Sequence, residues 1–174
     1  MAVFTEPSRL AGGGFQNCGT YAPAGVGHDW LCMSGGDTSA FFISSDGITY
    51  RPCNRGLYFG RHHASGIAGS RTVANRIYVT VSTSNSGGAG NGVMLRGTYS
   101  ASTGLVTWTD NFATGFAGAV TGGFDRPRHA GRHFIALDEA NGWAYVCSDD
   151  GIWRINLSTG AATQRALNGC TTRA

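Results

Sequence analysis

The sequence contains no lysine. All thirteen basic residues of the 174 are arginine, charged residues make up only 13%, and the formal net charge is +3. The arginines are scattered singly, whereas nucleic-acid binding calls for a clustered basic face, so no nucleic-acid partner is expected. Nor does any apolar run approach the ~18 residues of a membrane helix, so no membrane association is expected. The opening stretch MAVFTEPSRLAGGG lacks a charged segment followed by an apolar one, and no export signal is visible. Five cysteines (Cys18, Cys32, Cys53, Cys147, Cys170) lack C-x-x-C spacing, and their odd number leaves at least one outside any pairing within the chain. Neither a metal nor a cofactor is expected.

What the chain has in abundance is glycine, 28 residues without a Gly-X-Y period, beside 41% hydrophobic residues. That combination describes a turn-dense folded protein rather than a disordered one. The length suits one domain, since a chain of roughly 150 residues buries about 70% of its unfolded surface.

Short alternating runs dominate. RIYVTVS (76–82) sets Ile77, Val79 and Val81 against Arg76, Thr80 and Ser82, with only Tyr78 blurring the period. GIWRINL (151–157) puts Trp153, Ile155 and Leu157 on one face. A period of two is the signature of a half-buried strand. Further strands are predicted over 29–33, 40–44, 48–51, 65–69, 93–99, 105–109, 133–137 and 143–147, with loops over 83–92 and 111–132. No segment sustains a helical period over three turns. The fold class is therefore all-β, and many short strands with dense turn signals mean a sandwich, a barrel or a propeller.

Internal repeats favour the propeller. The segment 29–52 aligns with 142–166, each an aromatic-containing strand with a cysteine near its end, an acidic link, a second strand, a Ser-plus-Gly turn and a third strand. Cys32 falls beside Cys147, and Cys53 more loosely beside Cys170. A third copy lies over 76–110, and Tyr50, Trp108 and Thr163 close equivalent turns. Approximate blades of four antiparallel strands are 14–57, 58–118 and 119–174.

Ser44-Ser45-Asp46-Gly47-Ile48-Thr49-Tyr50 carries a physical reading of its own. Between two strands, the Ser hydroxyl and Asp carboxylate accept hydrogen bonds from turn N–H groups. Gly47 supplies the backbone freedom of the turn, and Thr49-Tyr50 starts the returning strand. This stretch resembles the Asp-box (BNR) repeat S-x-D-x-G-x-T-W of sialidase-like and xyloglucanase-like β-propellers, one residue short and with Tyr for Trp. SASTGLVTW (100–108) is a longer variant with Ser102 in place of the Asp, and Ser158-Thr159-Gly160 keeps the turn. Gly14-Phe15-Gln16-Asn17, Gly35-Gly36-Asp37 and Asn54-Arg55-Gly56-Leu57 resemble the opening of xyloglucanase-like seven-bladed propellers. RPRHAGRHFIALD (126–138) resembles the start of one of their later blades.

The resemblance covers about three blades, fewer than the about four to eight that close a ring. Open blade edges invite pairing, so a homo-oligomer that completes the propeller is expected, or a larger polypeptide. The resemblance implies a polysaccharide or glycan as ligand and an extracellular or periplasmic location. It makes Asp37 the counterpart of the general base of an inverting β-glucanase. Inversion needs a second carboxyl group roughly 6.5–9.5 Å away, and the family's acid lies in a part this chain lacks. Asp149 or Asp150 occupies the equivalent link in the 142–166 copy, which also suits Asp37 to a loop-tying role. The box residues Ser44, Asp46, Gly47, Thr49 and Tyr50 are structural in this family, on the rim of a blade.

Other residues divide between function and packing. Trp30, Tyr58 and Phe59 are candidates for stacking on sugar rings, as are Trp108 and Trp143, though blade core claims most such aromatics. His62, His63, His129 and His133 lack the glutamate of H-E-x-x-H and read as surface residues. Arg126, Arg128 and Arg132 form a cluster that an anionic substrate could meet. Cys32/Cys53 and Cys147/Cys170 are either equivalent disulfides or buried small hydrophobes. Two functions follow: a carbohydrate-directed propeller segment, inactive or weak alone, and a non-enzymatic module for glycan or protein binding or self-assembly.

Overall fold

The computed structural model describes residues 17–25, 28–35, 38–45, 51–52, 63–82, 89–120, 135–148 and 151–165. They form twelve strands and one 3-10 turn. The first sheet holds β1 (Asn17–Gly25), β2 (His28–Gly35), β3 (Thr38–Ser44) and β4 (Arg51–Pro52). The middle sheet holds β5 (His63–Gly69), β6 (Arg76–Ser82), β7 (Ala89–Ser100) and β8 (Leu105–Val120). The third holds β9 (Ile135–Asp138), β10 (Trp143–Ser148), β11 (Gly151–Asn156) and β12 (Ala162–Arg165). Within each sheet, every strand pairs antiparallel with the next in sequence. The all-β expectation is met, and among the described residues helix is confined to Glu139–Asn141. No helix there is long and apolar enough to cross a membrane.

Two apolar layers hold the sheets together. In one, Ile43 of β3 joins Ile67, Ile77, Val79, Val93, Leu95 and Val106 of the middle sheet, with Tyr99 and Trp108 packed against them. In the other, Tyr78, Met94 and Ala113 of the middle sheet meet Ala144, Val146 and Ile155 of the third, flanked by Phe112, Leu137 and Trp153. The middle sheet is thus covered on both faces. This corrects the reading of 76–82 as a half-buried strand: Ile77 and Val79 are fully buried toward the first sheet, Tyr78 and Thr80 toward the opposite side. Tyr78, which blurs the period in the sequence, is the residue that faces the third sheet, because a strand alternates its side chains between two faces.

Two predicted loops are partly strand. β7 begins at Ala89, inside the expected loop 83–92, and β8 runs on to Val120, through much of the expected loop 111–132. Irregular register explains why the pattern is hard to read there. Arg96 pairs Thr109 but Met94 pairs Ala113, so β8 carries extra residues between those pairs. A bulge of this kind re-aims side chains and breaks the period of two. Phe112 and Ala113 consequently both join the layer against the third sheet. β1, the edge strand of the first sheet, was not among the expected strands; its sequence NCGTYAPAG lacks both alternation and β-branched residues apart from Thr20.

Close approach fixes two glycines. A Cβ on Gly97 would come within 2.6 Å of Val106 Cγ1, 2.7 Å of Ile77 Cγ2 and 2.9 Å of Trp108 Cζ3, so its absence makes room for the indole of the adjacent strand. Gly160, with φ +76, lies so close to β8 that a Cβ would sit 1.7 Å from the Phe112 carbonyl oxygen. The β11–β12 turn is therefore seated directly on the middle sheet.

Candidate functional site

The stretch 44–50 links the third and fourth strands of the first sheet, since Ile43 pairs Arg51 across it. Ser44, at the end of β3, is buried at 2% exposure. Trp30 stands in β2 opposite Ala22 and Ile43. Asp37, Asp46, Gly47, Thr49, Tyr50, Tyr58 and Phe59 lie outside the described residues. So do Asp149 and Asp150, Cys53 and Cys170, His62, His129 and His133, and the arginines 126, 128 and 132.

The same link in the other two sheets is fully described, and it closes with one turn used twice. In Ser100-Ala101-Ser102-Thr103-Gly104, the Gly104 N–H donates to the Ser100 carbonyl at 2.8 Å, with φ +69 at the glycine. In Asn156-Leu157-Ser158-Thr159-Gly160, the Gly160 N–H donates to the Asn156 carbonyl at 2.8 Å, with φ +76. Each threonine hydroxyl accepts from the backbone two residues on: Leu105 N–H at 3.4 Å and Ala161 N–H at 3.2 Å. The first position differs. Asn156 Oδ1 accepts from Ser158 N–H at 2.9 Å and Thr159 N–H at 3.0 Å, an Asx turn, while the Ser100 hydroxyl lies 2.9 Å from that of Ser102. Thr103, Thr159 and Asn156 are thus spent on backbone donors, and Ser100 and Ser102 on each other.

Pairing registers make the repeat quantitative. Asn75 and Gly142, both left-handed at φ 60 and 74, precede the second strands β6 and β10. Their carbonyls accept from Tyr99 N–H at 2.9 Å and Leu157 N–H at 3.0 Å. From these anchors, Tyr78 pairs Arg96 as Tyr145 pairs Arg154, and Thr80 pairs Met94 as Cys147 pairs Ile152. Arg96 then pairs Thr109 as Arg154 pairs Thr163. In the first sheet Trp30 pairs Ile43 and Cys32 pairs Phe41; Cys32 and Cys147 both stand on second strands paired with third strands, Cys32 three residues from its hairpin end at Gly35 and Cys147 one residue from its own at Ser148. The alignment of Trp108 with Thr163 is corrected by one residue. Trp108 pairs Gly97 and Ala162 pairs Ile155, and these are the matching positions.

A polar and aromatic cluster sits where the middle and third sheets meet. The Arg96 guanidinium stacks over the Phe112 ring at 4.3 Å, and Tyr78 contacts the same ring at a centroid distance of 6.1 Å. Burial pushes the Tyr78 hydroxyl above its ordinary value, against the opposing pull of Arg76 and Arg96. Beside it, Glu139 reaches from the 3-10 turn to the β5–β6 turn of the middle sheet. Its carboxylate accepts from Ser70 Oγ, from Arg71 N–H at 2.8 Å and from Thr72 Oγ1 at 3.0 Å. Ser70 Oγ in turn accepts from Thr72 N–H at 3.2 Å and Val73 N–H at 2.8 Å. Partial burial opposes ionisation of Glu139, but the hydrogen bonds from Ser70, Arg71 and Thr72 outweigh it and hold the carboxyl below its ordinary value.

This seam joins the middle and third sheets. The Glu139 carboxylate holds the hydroxyls of Ser70 and Thr72 and the Arg71 N–H, and the Ser70 oxygen is further engaged by the Thr72 and Val73 N–H groups. No group of three His, Cys, Asp or Glu that could hold a metal is found among the described residues. Trp108, a candidate for sugar stacking, packs against the apolar layer shared with the first sheet. Trp143, the other, lies under Arg154, whose guanidinium sits 4.1 Å from the ring centroid. Sequence reading missed Glu139 altogether. It is one of just two glutamates, with Glu6, and that scarcity was the available signal. Compared with protein-family models, curated proteins and solved structures, the chain finds no match in any of the three.

Proposed function

We propose that the chain is a carbohydrate-directed segment of an Asp-box β-propeller, related to xyloglucanase-like inverting β-glucanases and inactive or weak in hydrolysis by itself. The observation that carries this reading is the recurrence of one Gly-closed turn between the third and fourth strands of two successive four-stranded meanders, with the box sequence filling the same link in the first. In this reading the sheets are blades. Asp37 is the counterpart of the base that would activate water. Trp30, Tyr58 and Phe59 present ring faces to a glycan, and the protein is extracellular or periplasmic. The family's acid, which protonates the leaving oxygen, has no counterpart among the residues that carry the resemblance, so turnover is expected to be absent or slow.

Hydrolysis assays on xyloglucan, mixed-linkage glucan and sialosides, together with a glycan array, test it. Binding to a β-glucan is expected, with any residual turnover abolished by Asp37→Asn. No turnover on any of these substrates and no glycan retained on the array would sink the reading. A non-enzymatic, self-assembling module is the second reading. It draws on the outer face of the third sheet.

A further inference from the structure

The third sheet repeats, on the face turned away from the middle sheet, the side chains by which the middle sheet binds the third. On the middle sheet that face carries Tyr78, Thr80, Met94 and Arg96, of which Met94 and Thr80 are fully buried and Tyr78 is 3% exposed. The pairing registers set Tyr145, Cys147, Ile152 and Arg154 at those four positions in the third sheet. Strand alternation puts them opposite Ala144, Val146 and Ile155, which are the residues buried against the middle sheet. Tyrosine and arginine recur as the same cross-strand pair. In both sheets the arginine lies over an aromatic ring: Arg96 over Phe112, Arg154 over Trp143. Yet Tyr145, Ile152 and Arg154 remain partly exposed, and Arg154 Nε is buried without a hydrogen-bond partner.

Each of the two seams in the chain follows one rule. The face bearing Ile43 in the first sheet meets the middle sheet, and the face bearing Arg96 in the middle sheet meets the third. Arg154 is the next counterpart, and continuing the rule calls for another sheet upon it. The first sheet is next in the series: it meets the middle sheet through the face bearing Ile43, so its opposite face is the one the series sets upon Arg154.

We propose that the face defined by Tyr145, Ile152 and Arg154 is the docking surface for the first sheet of a second copy of this chain. The contact is head-to-tail, joining two different surfaces, so successive copies add in one direction until a ring closes. The inference rests on the stacking of sheets in the reading above and not on its sugar chemistry. An absence of glycan binding leaves it intact, and an absence of association leaves glycan binding intact.

Sedimentation velocity of the full chain, from low micromolar to near-millimolar concentration, tests it alongside two variants. The unmodified chain is expected to associate. Ile152→Glu places a charge at the position Met94 fills in the buried seam, and association should weaken by about tenfold or more. Val73→Glu, on the exposed turn beyond β5, should associate as the unmodified chain does. Circular dichroism of dilute Ile152→Glu should match the unmodified chain, with thermal unfolding still cooperative and only modestly lowered. If that variant fails to fold, Tyr145→Arg at the neighbouring position replaces it. A monomer at every concentration, or undiminished association in a folded variant of this face, would overturn the proposal. So would cross-links placing anything other than the first sheet of another copy upon Ile152.

Discussion

Glu139 and Ser70, from different sheets, are joined by a hydrogen bond from the Ser70 hydroxyl to the glutamate carboxylate. The glutamate thereby fastens the first turn of the third sheet to the first turn of the middle sheet, far from either in sequence. Ser70 is fully buried, and its oxygen also organises the turn that Glu139 holds. Apolar layers set the distance between these sheets, and this bond fixes how far one slides along the other.

The first prediction concerns pH. Because the folded-state pKa of Glu139 is lowered from 4.5, its contribution to stability is complete above that value and is lost as pH falls through the folded value. Glu139→Gln should cost about 1–2 kcal/mol at neutral pH, the worth of charge-assisted bonds at a partly exposed site. It should also flatten the acid limb of a plot of unfolding temperature against pH. A variant that loses stability equally at neutral pH and in strong acid would argue against the carboxylate as the cause.

At the alkaline end the sign reverses. The Tyr78 pKa is raised above 10.0, so its contribution is present below that value and lost as pH climbs through the folded one. Tyr78→Phe should remove part of the alkaline destabilisation seen in thermal unfolding, while keeping the ring contact with Phe112. Unchanged alkaline behaviour in the variant would assign the loss to other groups.

Two glycines of similar backbone conformation should respond unequally. Gly104 has φ +69 with nothing within 4 Å of a built Cβ, so Gly104→Ala should cost about 1–2 kcal/mol of left-handed strain. At Gly160 the same strain is joined by a clash with the Phe112 carbonyl, and Gly160→Ala should cost about 3 kcal/mol or more. Urea denaturation compares them directly, and equal losses would contradict the seating of the β11–β12 turn on β8.

A fourth contrast separates a closed seam from an open one. Met94→Ala empties a fully buried site between two sheets and should destabilise by about 2–5 kcal/mol. Ile152→Ala, at the matching position of the third sheet, should cost less than about 1.5 kcal/mol in the dilute chain, since its side chain is partly exposed. Thermal or urea unfolding at low concentration measures both.

Most strands were readable because short runs with dense turns leave little else for the chain to form. The candidate chemistry was much less legible. Asp37 lies outside the described residues, and a distance between two groups on separate strands has no signature in a linear pattern. Arg154 could have been recognised only by aligning YVTVS with YVCS and MLR with IWR, short matches that gain meaning once their pairing is known.

What the sequence determined by itself is local: glycines that permit the left-handed turns at Gly104, Gly142 and Gly160, and alternation that makes strands. Tertiary structure decided which faces are covered. Whether Tyr78 points into a seam or into water depends on a sheet that begins over fifty residues later, and β6 reads the same in either case. Burial is a property of the neighbour as much as of the strand, so the two-sided burial of the middle sheet and the unmatched face of the third emerge only when the sheets are stacked.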